Sequence, residues 1–143
     1  EQDFIWGYFG AAAPAIAEYN ALLLKTAQEN AESMRAPGGG IRYAMDAPFL
    51  SRAFLDQASA IYDRAEQLAT DDAALHRVQR DRLPIYYVLL CRGPEFTGPA
   101  YGEILDKFEA IARREGLTHI YEGAPDVEQK LEGWREAWKK AQL

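Results

Sequence analysis

The sequence predicts an all-α fold, a helical bundle of four to five main helices. Three observations carry that expectation. Residues 101–112 place Tyr101, Ile104, Leu105, Phe108, Ile111 and Ala112 on one side of a helical spiral. Residues 127–138 do the same with Val127, Leu131, Trp134 and Trp138, spaced by four, three and four. Ser51 stands where an N-cap belongs, ahead of Phe54, Leu55, Ala58, Ile61, Tyr62, Ala65 and Leu68 at helical spacing.

Taken in chain order, residues 3–9 are short and aromatic, and Gly7 and Gly10 weaken them as a helix. A longer helix is expected from about Ala11 to Met34, because Pro14 is tolerated in a first turn. Residues 35–50 (RAPGGGIRYAMDAPFL) read as a loop, with consecutive Gly38, Gly39 and Gly40 and two prolines. The helix opened by Ser51 should close near Ala69, and Thr70 or Asp71 should cap the next one, which runs to about Cys91. Pro84 lies inside it and should kink or split it, since proline removes a donor and crowds the preceding turn. Residues 92–98 (RGPEFTG) are turn-like. Pro99 then opens the helix that Arg113 and Arg114 complement and Gly116 ends. Thr118–Tyr121 has some strand propensity but little length. Pro125 opens the last helix, with Asp126 and Glu128 at its positive end and Lys139 and Lys140 at its negative end.

Length and composition fit one helical domain spanning residues 1–143. Sixteen basic residues against 22 acidic ones give a net charge of −6. That sign disfavours nucleic acid as a partner, because a phosphate-backbone binder needs a basic face. No run of apolar residues is long enough for a membrane span. Cys91 is the only cysteine, which excludes an internal disulfide and any multi-cysteine zinc site. The opening EQDFIWGYFG resembles the interior of a longer chain more than a natural start, so the expectation is a domain excised from the C-terminal part of a multidomain protein.

The chemistry-bearing residues form no recognised catalytic pattern, so the chain itself is read as non-enzymatic. The triple glycine lacks the spacing and the lysine of a phosphate loop. His76 and His119 are far apart and outside any zinc frame, and the Glu-x-x-His pairs of di-iron bundles are missing, so neither metal nor cofactor is expected. Cys91 follows Val88-Leu89-Leu90 and reads as a buried, inert thiol. Trp134 and Trp138 read as core. Of the adjacent Tyr86 and Tyr87, only one can be central. Two groups are left as candidate site residues. Arg42, Tyr43 and Asp46 combine polar chemistry with a loop and could bind a ligand; the plainer reading is a surface loop held down by Tyr43, Met45 and Phe49. Phe4, Trp6, Tyr8 and Phe9 would make a large apolar patch if exposed, and so are candidates for packing against another domain.

Asp3–Leu24 carries a resemblance. Its aromatic run, then Gly10-Ala11-Ala12-Ala13-Pro14, then Ile16, Tyr19 and Leu22-Leu23, is similar to the helical region that follows the catalytic barrel in a bacterial family of glycoside-hydrolase-like proteins. That family is related to α-glucuronidases and hexosaminidase-type barrels. Pro48-Phe49-Leu50, the alanine-rich stretch to Ala69, and Arg77-Val78 to Leu83-Pro84-Ile85-Tyr86 extend the resemblance over residues 3–90. It implies a non-catalytic accessory domain that supports an upstream catalytic domain of the same chain, in a secreted or periplasmic protein. The family's catalytic acids would lie before Glu1. The alternative reading is a carbohydrate- or protein-binding helical module. It would grip an oligo- or polysaccharide, or another protein, through Trp6, Tyr8, Tyr43, Trp134 and Trp138.

Overall fold

The computed structural model describes residues 2–35, 43–121, 123 and 126–142. Every regular element among them is a helix, so the chain is all-α. In order they are α1 (Gln2–Phe9), a 3₁₀ turn (Gly10–Ala12), α2 (Ala13–Glu29), α3 (Arg52–Leu68), α4 (Asp72–Arg92), α5 (Pro94–Thr97), a second 3₁₀ turn (Gly98–Ala100), α6 (Tyr101–Arg114) and α7 (Val127–Ala141). None of the described helices is long and apolar enough to cross a membrane. The chain packs as two compact units, Glu1–Arg82 and Leu83–Leu143. Their boundary falls inside α4, next to Pro84, and α4 runs through the proline as one helix rather than splitting.

In the first unit, α2 and α3 form the main pair, with α1 lying on α2. Alanines line the interior: Ala12, Ala13, Ala15, Ala58 and Ala65 are fully buried and let the backbones approach closely. Ile16, Leu55, Tyr62 and Val78 fill the remaining volume. The Ser51 hydroxyl accepts from the Phe54 amide at 3.2 Å, and the Asp71 carboxylate accepts from the Ala74 amide at 2.8 Å. α1 is a helix despite its glycines, because Ile5 and Phe9, one turn apart, are both buried. Gly10 then turns the chain at φ 54°, a left-handed conformation suited to glycine. α2 stops before Met34. The Asn30 backbone amide and side chain both donate to the Thr26 carbonyl, at 3.1 and 2.8 Å, closing the last turn, and residues 31–34 continue as turns.

The second unit is built around aromatic rings. Tyr86, Leu90, Tyr101, Leu105, Phe108, Leu131 and Trp134 form one buried cluster drawn from α4, α6 and α7. Trp134 meets Phe108 edge-on at 5.3 Å and Tyr87 at 5.9 Å between ring centroids. Residues 92–98 fold more tightly than a plain turn. Gly93 and Gly98, at φ 83° and 76°, bracket the single turn of α5. The buried Thr97 hydroxyl donates to the Leu89 carbonyl at 2.7 Å. α6 ends at Gly116, where the amides of Gly116 and Leu117 donate back to Arg113 and Ala112. Thr118–Tyr121 contributes one isolated bridge, His119 to Asp126, rather than a strand. Asp126 caps α7 by accepting from the Gln129 amide at 2.9 Å, so the helix begins at Val127. Pro125 lies outside the described residues.

Candidate functional site

α1 presents two kinds of surface. Ile5 and Phe9 face inward and are buried, whereas Phe4 is 68% and Trp6 57% exposed. At about 100° per residue, Phe4 and Trp6 stand on opposite shoulders of the outward face, with exposed Asp3 and Gly7 between them. Gly7 has open space where a side chain would stand, so bare backbone separates the two rings. Two large aromatics on one short helix are thus left largely in water.

Tyr8 links that face to α4. Its ring stacks on Phe4 at 5.5 Å with the planes 12° apart. The Arg77 guanidinium lies over the same ring, 4.6 Å from its centroid, and its Nη1 donates to the Tyr8 carbonyl at 2.8 Å. Arg80, one turn on, donates to the Tyr8 hydroxyl. Of the four aromatics read as packing residues, Phe9 belongs to the unit's own core and Tyr8 is half-covered. Phe4 and Trp6 remain as the outward pair.

The loop candidates separate. Arg42 lies outside the described residues, as do Gly38, Gly39 and Gly40. Tyr43 is half-buried, with its ring edge-on to Phe49 at 5.1 Å and its hydroxyl donating to the Met34 carbonyl. Those contacts match a loop held down by its aromatic residues. Asp46 is exposed. Two shallow depressions lie nearby, of about 360 and 160 Å³, between the end of α2, Pro48 and the start of α3. Neither Tyr43 nor Asp46 lines either of them.

Other aromatics lie mostly inside. Trp134 is 7% exposed, and Trp138 is half-buried, tilted on Tyr101 at 5.7 Å. Tyr86 is central and Tyr87 peripheral. Of Trp6, Tyr8, Tyr43, Trp134 and Trp138, Trp6 alone is well exposed. Burial pushes the Cys91 thiol up, only partly countered by the Tyr87 hydroxyl and by Lys130, so it stays protonated at neutral pH. His76 and His119 are both exposed. Among the described residues, no group of three His, Cys, Asp or Glu side chains could hold a metal ion.

The first unit also contains a polar interior. Arg82 is 5% exposed, and its Nη1 pairs with Asp63 at 2.7 Å and Glu66 at 3.0 Å on α3. Beside it, the buried Tyr62 hydroxyl donates to the Asp81 carboxylate at 2.8 Å. Tyr19, on α2, packs tilted against Tyr62 at 4.7 Å between ring centroids, and burial and the Asp81 charge push its phenol up to about 12. Tyr62 is raised further by the same causes, and burial raises Asp81. Both phenols are therefore protonated at neutral pH, and the Tyr62 hydroxyl acts as the donor that ties α3 to α4. Sequence reasoning missed Arg82, although a signal was present: it shares a helical register with Val78, Ile85 and Leu89. It also missed Arg77, whose partner Tyr8 is too distant in sequence to leave a local pattern. No family model, curated protein or solved structure matches this chain.

Proposed function

We propose that this chain is a non-catalytic accessory helical domain that packs on another domain of the same protein through the outward face of α1. The observation that carries the reading is the exposure of Phe4 and Trp6 on a helix whose inner face is already buried. Exposed aromatic pairs of this kind stabilise an interface once covered, because each ring removes a large apolar area from water. The identity of the neighbour, an upstream catalytic barrel of a carbohydrate-active, secreted or periplasmic protein, rests on the resemblance of residues 3–90.

The test compares Phe4→Ser/Trp6→Ser with the parent in two settings. In the 143-residue chain the double variant should be more soluble and melt at an unchanged temperature. In the longer protein, the same variant should lower the melting temperature of the docked state. An unchanged melt of the longer protein would remove α1 as the docking face.

A further inference from the structure

We infer that the surface docked on α1 is an acidic protein segment, with an apolar side chain seated on Phe4 and a carboxylate paired with Arg77. This rests on the docking reading above and adds the chemistry of the occupant. The chain is acidic overall, and its arginines reflect that: Arg52, Arg64, Arg82, Arg113, Arg114 and Arg135 each pair with a carboxylate of the chain itself. Arg77 differs. It is half-buried, donates to a backbone carbonyl, and covers an aromatic ring, with no carboxylate partner among the described residues. One N–H of its five-donor fork is engaged at Tyr8, while Nε and Nη2 meet no acceptor among the described residues and are not sealed from solvent. A guanidinium held over a ring and fixed by one hydrogen bond keeps its remaining donors in place for two-pronged recognition of a carboxylate.

Tyr8 makes the two halves of the surface one. Phe4 stacks on one part of its ring, Arg77 lies over it, and Arg80 reaches its hydroxyl. A single short segment can therefore place an apolar group and an acid side by side. Asp3, the acidic residue on the outward face of α1, lies nearer Trp6 than Phe4 around the helix axis. A basic segment would bring like charge against Arg77 and be rejected.

The experiment titrates the 143-residue chain with two labelled peptides of equal length and equal leucine pattern, one Glu/Leu and one Lys/Leu, read by fluorescence anisotropy. The Glu/Leu peptide should bind and the Lys/Leu peptide should not. Raising NaCl from about 0.05 to about 0.5 M should weaken the Glu/Leu complex about tenfold. Arg77→Gln should weaken it by a similar factor, Phe4→Ser should abolish it, and Arg114→Gln should leave it unchanged. Arg77 also holds α1 to α4, so if Arg77→Gln loosens the fold, the salt series and the peptide contrast on the parent chain decide the matter. Equal binding of both peptides, or salt-insensitive binding lost only with Phe4→Ser, would overturn the acidic partner and leave the docking face intact. Binding of polygalacturonate with no binding of the Glu/Leu peptide would assign the carboxylates to a polysaccharide and overturn the protein partner. Binding of neither would overturn the inference outright, while the docking reading answers to its own melting experiment.

Discussion

The two compact units use the same residue types in opposite ways. The second places its rings inside: Tyr86, Tyr101, Phe108 and Trp134 are all buried, and Tyr121 is its single exposed large hydrophobic among the described residues. The first fills its interior with alanines, a tyrosine pair and a buried arginine. It leaves Phe4, Trp6, Leu23, Leu24 and Leu68 at the surface. Both contain amphipathic helices, so helix formation does not explain the difference. What separates them is the destination of the large apolar groups. The second unit buries most of its aromatics, whereas the first leaves Phe4 and Trp6 largely in water.

That contrast can be broken most sharply in the second unit's core. Trp134→Ala removes a ring packed on Phe108 and Tyr87, and should lower stability by about 4 kcal/mol in urea unfolding. A loss near that of an exposed aromatic would show that the cluster is looser than its burial indicates. Next comes the ionic interior of the first unit. Arg82→Ala strands two carboxylates and opens a cavity, and should cost about 3 kcal/mol, whereas Arg82→Met strands the same carboxylates but refills most of the cavity and should recover part of that loss. Asp63 is largely exposed, so water partly compensates the lost pair and keeps the figure from rising higher. Equal losses for the two variants would mean that charge, rather than packing, sets Arg82's role.

Gly102 measures how tightly the second unit closes. A methyl group there would stand 2.7 Å from the Trp138 indole nitrogen, so Gly102→Ala should cost about 2 kcal/mol through displacement of that ring. The same change at Gly7, where space is open, should be neutral or slightly stabilising by helix propensity. Circular-dichroism melts of the pair would read the contrast directly. The smallest effect concerns the surface that joins α6 to α7. Hydrogen bonds from Arg135 and Arg113 hold the Glu109 carboxyl below the usual carboxylate range. A carboxyl with a lower pKa folded than unfolded contributes stability fully present above its unfolded value and lost as pH falls through the folded one. Glu109→Gln should therefore cost less than about 1 kcal/mol at neutral pH. The cost should vanish in acid.

The periodic elements were legible in the sequence because their information is local. Ser51 as a cap, Gly116 as a terminator and the Trp134 stripe each rest on residues within one or two turns. The departures came where distant residues decide. α1 forms in spite of Gly7 because Ile5 and Phe9 are buried by the rest of the first unit, which propensity alone does not weigh. α4 tolerates Pro84 within a helix otherwise intact on both sides. The candidate site was half visible. An aromatic cluster at residues 4–9 stood out, but which of its rings faced outward depended on the direction of the buried stripe. Arg77 was hidden because its partner Tyr8 lies on another helix.

The central claim is that the outward aromatics of α1 serve another domain. The most direct measurement is calorimetric titration of the neighbouring domain proposed above, produced separately, into this chain, parent against Phe4→Ser/Trp6→Ser. Saturable heat in the parent that disappears in the variant is the expected result. Heat unchanged by the substitutions, or absent from the parent, would contradict the account.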